Sequence, residues 1–442
     1  MYDYTDHQQE ELWEASARKE TEEIAEALDY AIEFDLNLIG LGTDLARLSE
    51  RLSREVHDTE ASGRFSTLAR NMPIVLAHLL RAFTTDPALY VKYARDKNAY
   101  PLGRYNPSGT TRNGLTRAVD GLSALGYLEN VPGFYDRSTK TGRRSRIRGT
   151  ERLFEEFVQL GLNGDALALH EPAETIILKG IKRPHNPINY RDDESTNRMR
   201  GIVATYNAML SRTDIRLAPD APPHYGIPLN FSKKSVRRIF LNESFELGGR
   251  FYGGWWINAS SEIRARILID GSPTVELDYQ SQYAHIAYSE CGRDYWTEHP
   301  EDRDPYALPD IPRPLSKSAF MFMLNTRNRQ SAVSTLAKEW RKAEYREFRD
   351  LGFRPSAVID ATLEKHEPIR EMFFQEWSRR FQNIDSRICE RNIIACVEAD
   401  ILALTVHDSF IVKNEHADWM EAIMREAAAE ICPCSIPSIT RS

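Results

Sequence analysis

Apolar residues recur every three or four positions from the N-terminus to about Arg70, in stretches such as IAEALDYAIEF and LARLSERLSREV. This spacing places them on one face of a helix with 3.6 residues per turn, so an amphipathic helix is the expected element. We therefore predict a helical N-terminal region over residues 1–70, whose apolar face is used for packing.

Residues 71–165 show a more specific order of elements: a helix, a Pro/Gly-rich stretch, a second helix opening at Thr110 and Thr111, a turn at Gly126, and a basic strand. The basic run consists of Arg137, Lys140, Arg143, Arg144, Arg146 and Arg148. This order resembles a winged helix-turn-helix, in which the second helix reads DNA and the basic segment forms the wing. The last four of these arginines would then contact nucleic acid. The alternative is a helical domain with one solvated charged loop.

The pattern changes again beyond residue 165. Residues 166–229 contain a strand (ETIILKG), a helix (RMRGIVATYNAML) and the Pro-rich connector APDAPPHYGIP, so they are expected to connect two domains. Residues 230–442 interleave strands and helices without an internal repeat. We predict that this last part is a mixed α+β domain that holds the chemistry.

Two aspartates in this last domain stand where strands end. The segment SPTVELDYQSQYAHIAYSE alternates apolar and polar residues up to Asp278, after which a helix is expected. The segment ILALTVHDSFIV predicts an apolar hairpin with Asp408 at its tip. An Asp in so apolar a run is costly to bury without a partner, which favours a metal-binding role. Each acid alone is common as a cap or turn residue, so the argument depends on the pair.

The composition is that of a globular protein of two or three domains, with 442 residues, 41% hydrophobic and 28% charged. The chain has no apolar run long enough for a membrane span, and its acidic N-terminus does not resemble a signal peptide, so we expect a cytoplasmic protein. Five scattered cysteines fit a reducing compartment better than structural zinc. The net charge of -8 does not exclude a nucleic-acid enzyme, because local basic surfaces can bind phosphate on an acidic molecule.

Three segments, in order along the chain, resemble the motifs of right-hand polymerases. LDYQSQYAHIAY is similar to motif A, RPLSKSAFMFMLNTRNR to motif B, and TVHDSFIV to motif C of family A DNA polymerases and of single-subunit RNA polymerases of the phage and mitochondrial type. The resemblance covers Asn230 to His416. It implies a palm with an antiparallel sheet and mostly helical fingers in residues 230–442, with a thumb-like part in residues 166–229. It also implies a reduced enzyme without an exonuclease domain, such as the replication polymerase or primase of a mobile element.

The resemblance implies roles for individual residues. Asp278 and Asp408 would hold two Mg2+ ions, with Mn2+ as an alternative, and Lys317 would protonate the leaving pyrophosphate. The residues expected to bind the nucleotide are Arg313, Lys317, Met321, Asn325, Tyr279 and Tyr283. The four that belong to motif B stand four positions apart, which puts them on one face of a helix. The short stretch Asp304-Pro305-Tyr306 resembles the acidic segment that precedes the fingers.

Three further residues are expected to contact nucleic acid. Arg250 lies among aromatic residues, cations and glycines that suit stacking and phosphate contact, although a buried aromatic hairpin would have the same pattern. Gln382 lies in a segment similar to the helix that contacts the minor groove of template and primer. His407 either braces the turn of Asp408 or contacts the primer.

The residues leave the choice of sugar open. Ser409 replaces the usual Glu of family A DNA polymerases and, with Met321, favours ribonucleotides. Tyr283 stands where those enzymes use Glu to exclude the ribose hydroxyl, and its ring is an alternative steric gate; Asn325 replaces the usual Tyr. Three functions are therefore expected: a DNA-dependent DNA polymerase with or without primase activity, a DNA-dependent RNA polymerase or primase, and a non-catalytic DNA-binding replication initiator. The expected partners are DNA, nucleoside triphosphates and a helicase or other replication protein, without a membrane.

Overall fold

A computed structural model describes residues 28–59, 63–101, 103–136, 141–169, 174–182, 185–223, 229, 231 and 233–442. The chain divides into two compact units, one from Met1–Glu174 with His224–Asn230 and one from Thr175–Pro223 with Phe231–Ser442. Both units combine helices with mainly antiparallel sheets, which confirms the mixed α and β class expected from the sequence. Within the described ranges, none of the helices combines the length and the apolarity that a membrane span requires.

The described part of the first unit contains four α-helices and eight strands. The helices are α1 (Thr43–Thr59), α2 (Phe65–Thr85), α3 (Arg112–Ala124) and α4 (Glu151–Gln159). The strands are β1 (Ala31–Glu33), β2 (Leu38–Gly40), β3 (Tyr90–Tyr93), β4 (Leu128–Val131), β5 (Phe134–Asp136), β6 (Thr141–Arg143), β7 (Ser145–Gly149) and β8 (Leu167–Leu169).

The prediction of a wholly helical N-terminal region is only partly right. Residues 1–27 lie outside the described part of the chain. The helix expected over LARLSERLSREV is confirmed as α1, whose regularly spaced leucines are buried. The helix expected over IAEALDYAIEF is wrong at β1, which pairs in parallel with β3. A short apolar segment fits both the helical repeat of 3.6 residues and the strand repeat of two residues. Pairing with a neighbouring strand then overrides a weak helix preference.

The main sheet of the first unit has the strand order β1-β3-β7-β4. Helix α3 begins at Thr111, whose side chain accepts a hydrogen bond from the Gly114 amide and so caps the helix. The helix ends where Gly126 adopts a φ of +76°, a left-handed conformation that glycine takes without steric cost. The predicted helix start and turn are therefore confirmed, and the chain continues into β4, the hairpin β5–β6, and β7.

The second unit contains nine α-helices and nine strands among its described residues. The helices are α5 (Glu194–Arg212), α6 (Ser261–Arg264), α7 (Gln282–Glu290), α8 (Tyr295–Glu298), α9 (Arg313–Asn325), α10 (Arg329–Glu339), α11 (Pro355–Lys365), α12 (Ser378–Ala399) and α13 (Ala417–Ile431). The strands are β9 (Ile176–Leu178), β10 (Ile215–Leu217), β11 (Arg237–Leu241), β12 (Ser244–Tyr252), β13 (Ile267–Ile269), β14 (Ser272–Tyr279), β15 (Ala403–Val406), β16 (Ser409–Lys413) and β17 (Ile439–Arg441).

The largest sheet of the second unit is antiparallel, with the order β10-β13-β14-β16-β15 and with β17 also paired to β14. The strands predicted over VELD and on both sides of His407-Asp408 are therefore confirmed. In this register Asp278 lies opposite Ser409, so the end of β14 meets the turn between β15 and β16. A smaller sheet, β12-β11-β9, packs through β12 against the long helix α12.

A buried ion pair joins α12 to this smaller sheet. Arg238 on β11 donates to Glu390 on α12, and the two side chains are only 2% and 7% exposed. Arg238 also donates to the Gly249 carbonyl, and Glu390 accepts a second bond from Arg198. Burial lowers the pKa of the Arg238 guanidinium. A charge at this depth requires its partner, because water does not replace a lost counter-ion there.

Removing one member of this pair should therefore be costly. We expect Glu390→Gln, which keeps the side-chain shape but leaves Arg238 without a counter-ion, to lower the free energy of unfolding by about 3–5 kcal/mol in urea denaturation. The control is Asp360→Asn, which breaks the exposed ion pair with Arg329 and should cost less than about 1 kcal/mol. An equal decrease in the free energy of unfolding in the two variants would contradict the conclusion that the buried Arg238 requires Glu390.

Candidate active site

The candidate site begins where β14 meets the β15–β16 turn. Asp278 is the penultimate residue of β14, and Asp408 is the second residue of a two-residue turn that follows β15. The first turn residue, His407, has a φ of +59°. The backbone amide of Tyr279 donates to the Asp408 carbonyl at 3.3 Å, which fixes the turn beside the end of β14. Strand register thus brings both acids to one end of adjacent strands.

Neither of these two carboxylates forms a hydrogen bond or an ion pair with any described residue, although both are half-buried. Burial, the charge of Asp408 and the charge of Glu276 raise the pKa of Asp278 to about 7, against the opposing effect of Lys317 and Arg264. The ionised form of Asp278 is therefore unfavourable unless a cation is supplied.

The carboxylate of Glu276, the acid next to this pair, is already engaged in hydrogen bonds. It accepts two hydrogen bonds from Arg264, at 2.8 and 3.1 Å, and one from the Ser409 hydroxyl. Ser409 is itself buried in the sheet and also donates to the Val406 carbonyl. Ser409 therefore supports the sheet instead of facing the cleft.

Helix α9 supplies the opposite wall of the site. Arg313, Lys317, Met321 and Asn325 all line the same cleft as the two aspartates. The helix begins with Pro314 in its first turn, where proline fits best, and packs its other face through Leu315, Phe320 and Met323. The predicted helix is confirmed, and its four-residue spacing turns two cations and two neutral side chains toward the cleft.

The loop before α9 holds the first of these cations. Arg313 pairs with Asp304, which also accepts hydrogen bonds from the Tyr306 amide at 3.0 Å and the Ser281 hydroxyl at 3.4 Å. The buried ring of Tyr306 lies 5.5 Å from the Arg313 guanidinium and 5.9 Å from the Lys317 ammonium. Lys317 has no ion-pair partner among the described residues, so it can interact with an anion in the cleft.

The third wall combines β12, α7 and α12. Arg250 pairs with the buried Asp385 of α12, and its guanidinium lies 5.6 Å from the centre of the Tyr283 ring. Burial alone would lower the pKa of Arg250, but the charges of Asp385, Tyr283 and Asp408 raise it above its usual value. Tyr283 also packs edge-on against Phe381 at 5.9 Å. Gln382 lies one turn before Asp385 and also lines the cleft.

These walls enclose an open cleft of about 610 Å3, a size typical of small-molecule sites. The lining residues are Arg250, Asp278, Tyr279, Gln280, Ser281, Gln282, Tyr283, Asp304, Tyr306, Arg313, Lys317, Met321, Asn325, Ser378, Gln382 and Asp408. The predicted site residues of the second unit meet here with one exception, His407. Its ring packs against Tyr252 at 5.6 Å, and burial lowers its pKa.

Tyr279 contributes to the cleft wall, but its ring is buried and its hydroxyl donates to the Met424 carbonyl and accepts from Asn392. Its hydroxyl is therefore already engaged within the protein. Sequence reasoning missed Asp385 and Gln282. The first follows Gln382 by three positions, a spacing that signals a shared helix face; the second has no sequence signal that we can identify.

The basic residues of the first unit do not act alike. Arg143 lies over the Phe134 ring at 5.6 Å, Arg144 is exposed, and Arg148 pairs with Glu129. Arg146 is buried: it donates to the Leu28 and Arg144 carbonyls, and burial lowers the pKa of its guanidinium. The prediction that Arg146 contacts nucleic acid is therefore wrong, because this side chain anchors its own strand. Arg137 and Lys140 lie outside the described residues.

Asp278 and Asp408 are suitable ligands for a divalent cation. Across the described ranges, no group of three or more His, Cys, Asp or Glu side chains is arranged to bind a metal. Mg2+, however, is commonly held by one or two carboxylates together with water and substrate phosphates, and not by an all-protein cage. Two unpaired carboxylates on an open cleft match that donor set.

Thermal unfolding in the presence of a chelator should reveal the electrostatic repulsion between Asp278 and Asp408. The raised pKa means that the Asp278 carboxyl favours folding when protonated, and that this stability is lost as the pH rises through 7. With EDTA present, we expect Asp278→Asn to unfold at a higher temperature than wild type at pH 8.5, with a smaller difference at pH 5.5. Asp270→Asn is the matched control, because Lys413 holds the pKa of Asp270 below its usual value and its loss should slightly destabilise. If Asp278→Asn leaves the pH dependence of the unfolding temperature unchanged, the raised pKa of Asp278 is refuted.

No protein-family model matches the chain, and no curated protein matches it significantly. Among solved structures, one match is the POL domain of Pol1 from M. smegmatis in complex with DNA primer-template and dNTP. The two chains are 12% identical, the alignment covers 91% of this chain, and the TM-score is 0.28. The chain spans 66% of the length of that domain, slightly under two thirds.

Proposed function

We propose that the chain is a template-directed nucleotidyltransferase that extends DNA primers with deoxynucleotides. The observation that carries this proposal is the cleft in which Asp278 and Asp408, both unpaired among the described residues, face the cations of α9. A carboxylate pair opposite a row of cations suits a triphosphate bound through divalent metal ions. In this assignment residues 230–442 form palm and fingers, and residues 166–229 form a connecting, thumb-like region.

The two carboxylates would hold the metal ions. Two Mg2+ ions, or Mn2+ in their place, would there lower the pKa of the primer 3′-hydroxyl and neutralise the charge on the departing pyrophosphate. The role of the protein is to hold Asp278 and Asp408 side by side without other partners, which the pairing of β14 with β16 provides. The carboxylates then need little rearrangement when a metal-bound nucleotide arrives.

The cations of α9 would bind the triphosphate. Lys317 is not engaged in an ion pair with any described residue and lies one turn after Arg313, so an extended chain of phosphates can meet both. A lysine ammonium beside the leaving pyrophosphate can also donate a proton to it. Arg313 must exchange its ion pair with Asp304 for the phosphates, and both side chains are exposed enough for this to cost little.

The remaining lining residues would position base, sugar and primer. Met321 and Asn325 follow the cations along the same helix face and would meet the base and sugar. The Tyr283 ring, held between Arg250 and Phe381, would close the space next to the ribose 2′ position and so favour deoxynucleotides. Arg250 and Gln382 would contact the primer–template strands.

The first unit would recruit the enzyme to DNA as a winged helix-turn-helix over residues 71–165. The supporting observation is the chain order of α3, β4, the hairpin β5–β6 and β7 within one antiparallel arrangement. Arg143, Arg144 and Arg148 remain candidates for phosphate contact. Such recruitment would suit replication of a mobile element, with a helicase or other replication protein as a partner.

Primer extension tests the proposal and the choice of sugar together. We expect purified protein to extend a primed DNA template with dNTPs, and Asp278→Ala or Asp408→Ala to lower the rate by about a thousandfold or more. Asp270→Ala, which removes an exposed carboxylate outside the cleft, is the control and should retain activity. Product only from NTPs without a primer would instead indicate an RNA polymerase or primase. Replication that persists in a host with both aspartates replaced would indicate a non-catalytic initiator.

Steady-state kinetics should separate the two cations. Lys317→Ala should lower kcat by roughly 10²–10⁴-fold if the ammonium acts as a proton donor. Arg313→Ala should mainly raise KM for the nucleotide, since it removes binding that is present before and during the reaction. Lys338→Ala, on an exposed position of the neighbouring helix α10, serves as the control. Identical changes in kcat and KM for both variants would argue against separate roles.

A further inference from the structure

The hairpin β5–β6 of the first unit, which we call the aromatic hairpin, holds two aromatic rings in solvent. Phe134 is 56% exposed and Tyr135 is 66% exposed. In the described part of the chain only one other aromatic side chain, Phe231, is classed as exposed. Exposed large rings are unfavourable in water and are enriched where proteins bind a partner. Two of them in succession on one strand therefore need an explanation.

The base of the aromatic hairpin is firmly attached to the sheet. The Gly133 amide donates to the Ser145 hydroxyl at 2.9 Å, and the backbone approaches so closely that a Cβ at Gly133 would lie 2.3 Å from the Arg143 carbonyl oxygen. The buried Arg146 ties β7 to the Leu28 carbonyl. These contacts hold the base of the hairpin against the start of β7.

Packing against the opposite strand covers only part of the surface of each ring. Tyr135 lies opposite Gly142, and a Cβ there would be 2.8 Å from the tyrosine ring, so the ring covers the space left by the glycine. Phe134 lies opposite Arg143, whose guanidinium sits 5.6 Å from the ring centre. Both rings nevertheless keep more than half of their surface in water, which leaves a face of each free for a planar ligand.

The charges beside the rings define that ligand as an anion-bearing one. Arg143 has no ion pair with any residue the structure describes. Arg144 is 62% exposed and, among the described residues, pairs only with Glu33, which is 61% exposed. Pairs this exposed contribute little, so a phosphate can replace Glu33 with no appreciable loss. Aromatic faces next to cations that can accept phosphates match the arrangement that tracks a nucleic-acid strand.

We propose that the aromatic hairpin binds single-stranded nucleic acid, with Phe134 and Tyr135 on opposite faces of β5, each stacked on an unpaired base, and with Arg143 and Arg144 on the phosphates. A base inside a duplex is already stacked on both faces, so a protein ring gains access only to an unpaired one. The surface is thus specific for a strand that is already open, unlike a wing that only contacts the duplex backbone. The proposal involves the first unit alone and does not depend on catalysis in the second.

Fluorescence anisotropy with a short labelled oligothymidylate tests the proposal in the full chain. We expect Phe134→Ala/Tyr135→Ala to weaken binding at least about tenfold, since each stacked base contributes appreciably. The double variant Phe134→Tyr/Tyr135→Phe keeps an aromatic ring at each position and should bind the oligothymidylate with wild-type affinity. The matched control is Val158→Ala, because Val158 belongs to the same unit and is also 66% exposed. A change of less than twofold in the double alanine variant, or an equal loss of affinity for a blunt duplex, would overturn the proposal.

A second measurement localises the contact. An oligothymidylate that carries 5-iodouracil, irradiated with the full chain and analysed by mass spectrometry, should crosslink to the peptide that contains Tyr135. Crosslinks confined to the second unit would overturn the proposal. Asp278→Asn/Asp408→Asn protein should still form the Tyr135 crosslink while losing primer extension. The crosslink and the extension assay therefore fail independently, and a failed polymerase assignment cannot be mistaken for a failed strand-binding surface.

Discussion

The antiparallel pairing of β14 with β16 brings Asp278 and the turn residue Asp408 together, and neither carboxylate is paired with another side chain in the described part of the protein. Burial raises the pKa of Asp278, and repulsion by the negative charge of Asp408 raises it further. The structure limits the cost by neutralising the nearest additional acid: Glu276 is held by Arg264 and Ser409. The unpaired acids and the cations of α9 then form a site in which one charged ligand can satisfy both sides.

Helix α12 supports the wall of the cleft that contains Arg250. It carries two buried acids, Asp385 and Glu390, each paired with an arginine from the β11–β12 hairpin. The first pair directs Arg250 into the cleft, and the second fixes the hairpin from which Arg250 projects. Asp385 has one oxygen without a hydrogen-bond partner, and burial raises its pKa to about 6, so its ionised form depends on Arg250. Buried charge thus determines the direction of one side chain at the cost of desolvation.

The sequence predicts the parts of the fold that depend on local patterns. Alternation over VELD, the turn signal at Gly126 and the helical period of α9 each depend on neighbouring residues, and the structure has these elements at those places. The helix predicted over Ala31–Glu33 is wrong because β1 pairs with a segment almost sixty residues away, which no local pattern reports. The burial of Arg146 has a related cause: the same residue type can be exposed or buried, and only tertiary packing decides between the two.

The distance along the chain between the two halves of the candidate site has a consequence for biosynthesis. Glu276 and its partner Ser409 are 133 residues apart, and β17, which also pairs with β14, follows later still. Closing a loop of that length costs on the order of 4 kcal/mol in chain entropy before any strand contact compensates for it. While the polypeptide is being synthesised, β13 can pair with the first residues of β14, but the part of β14 beyond Pro273 waits for β16 and β17. The first acid is made early, but the two acids can be brought together only after translation has passed Lys413.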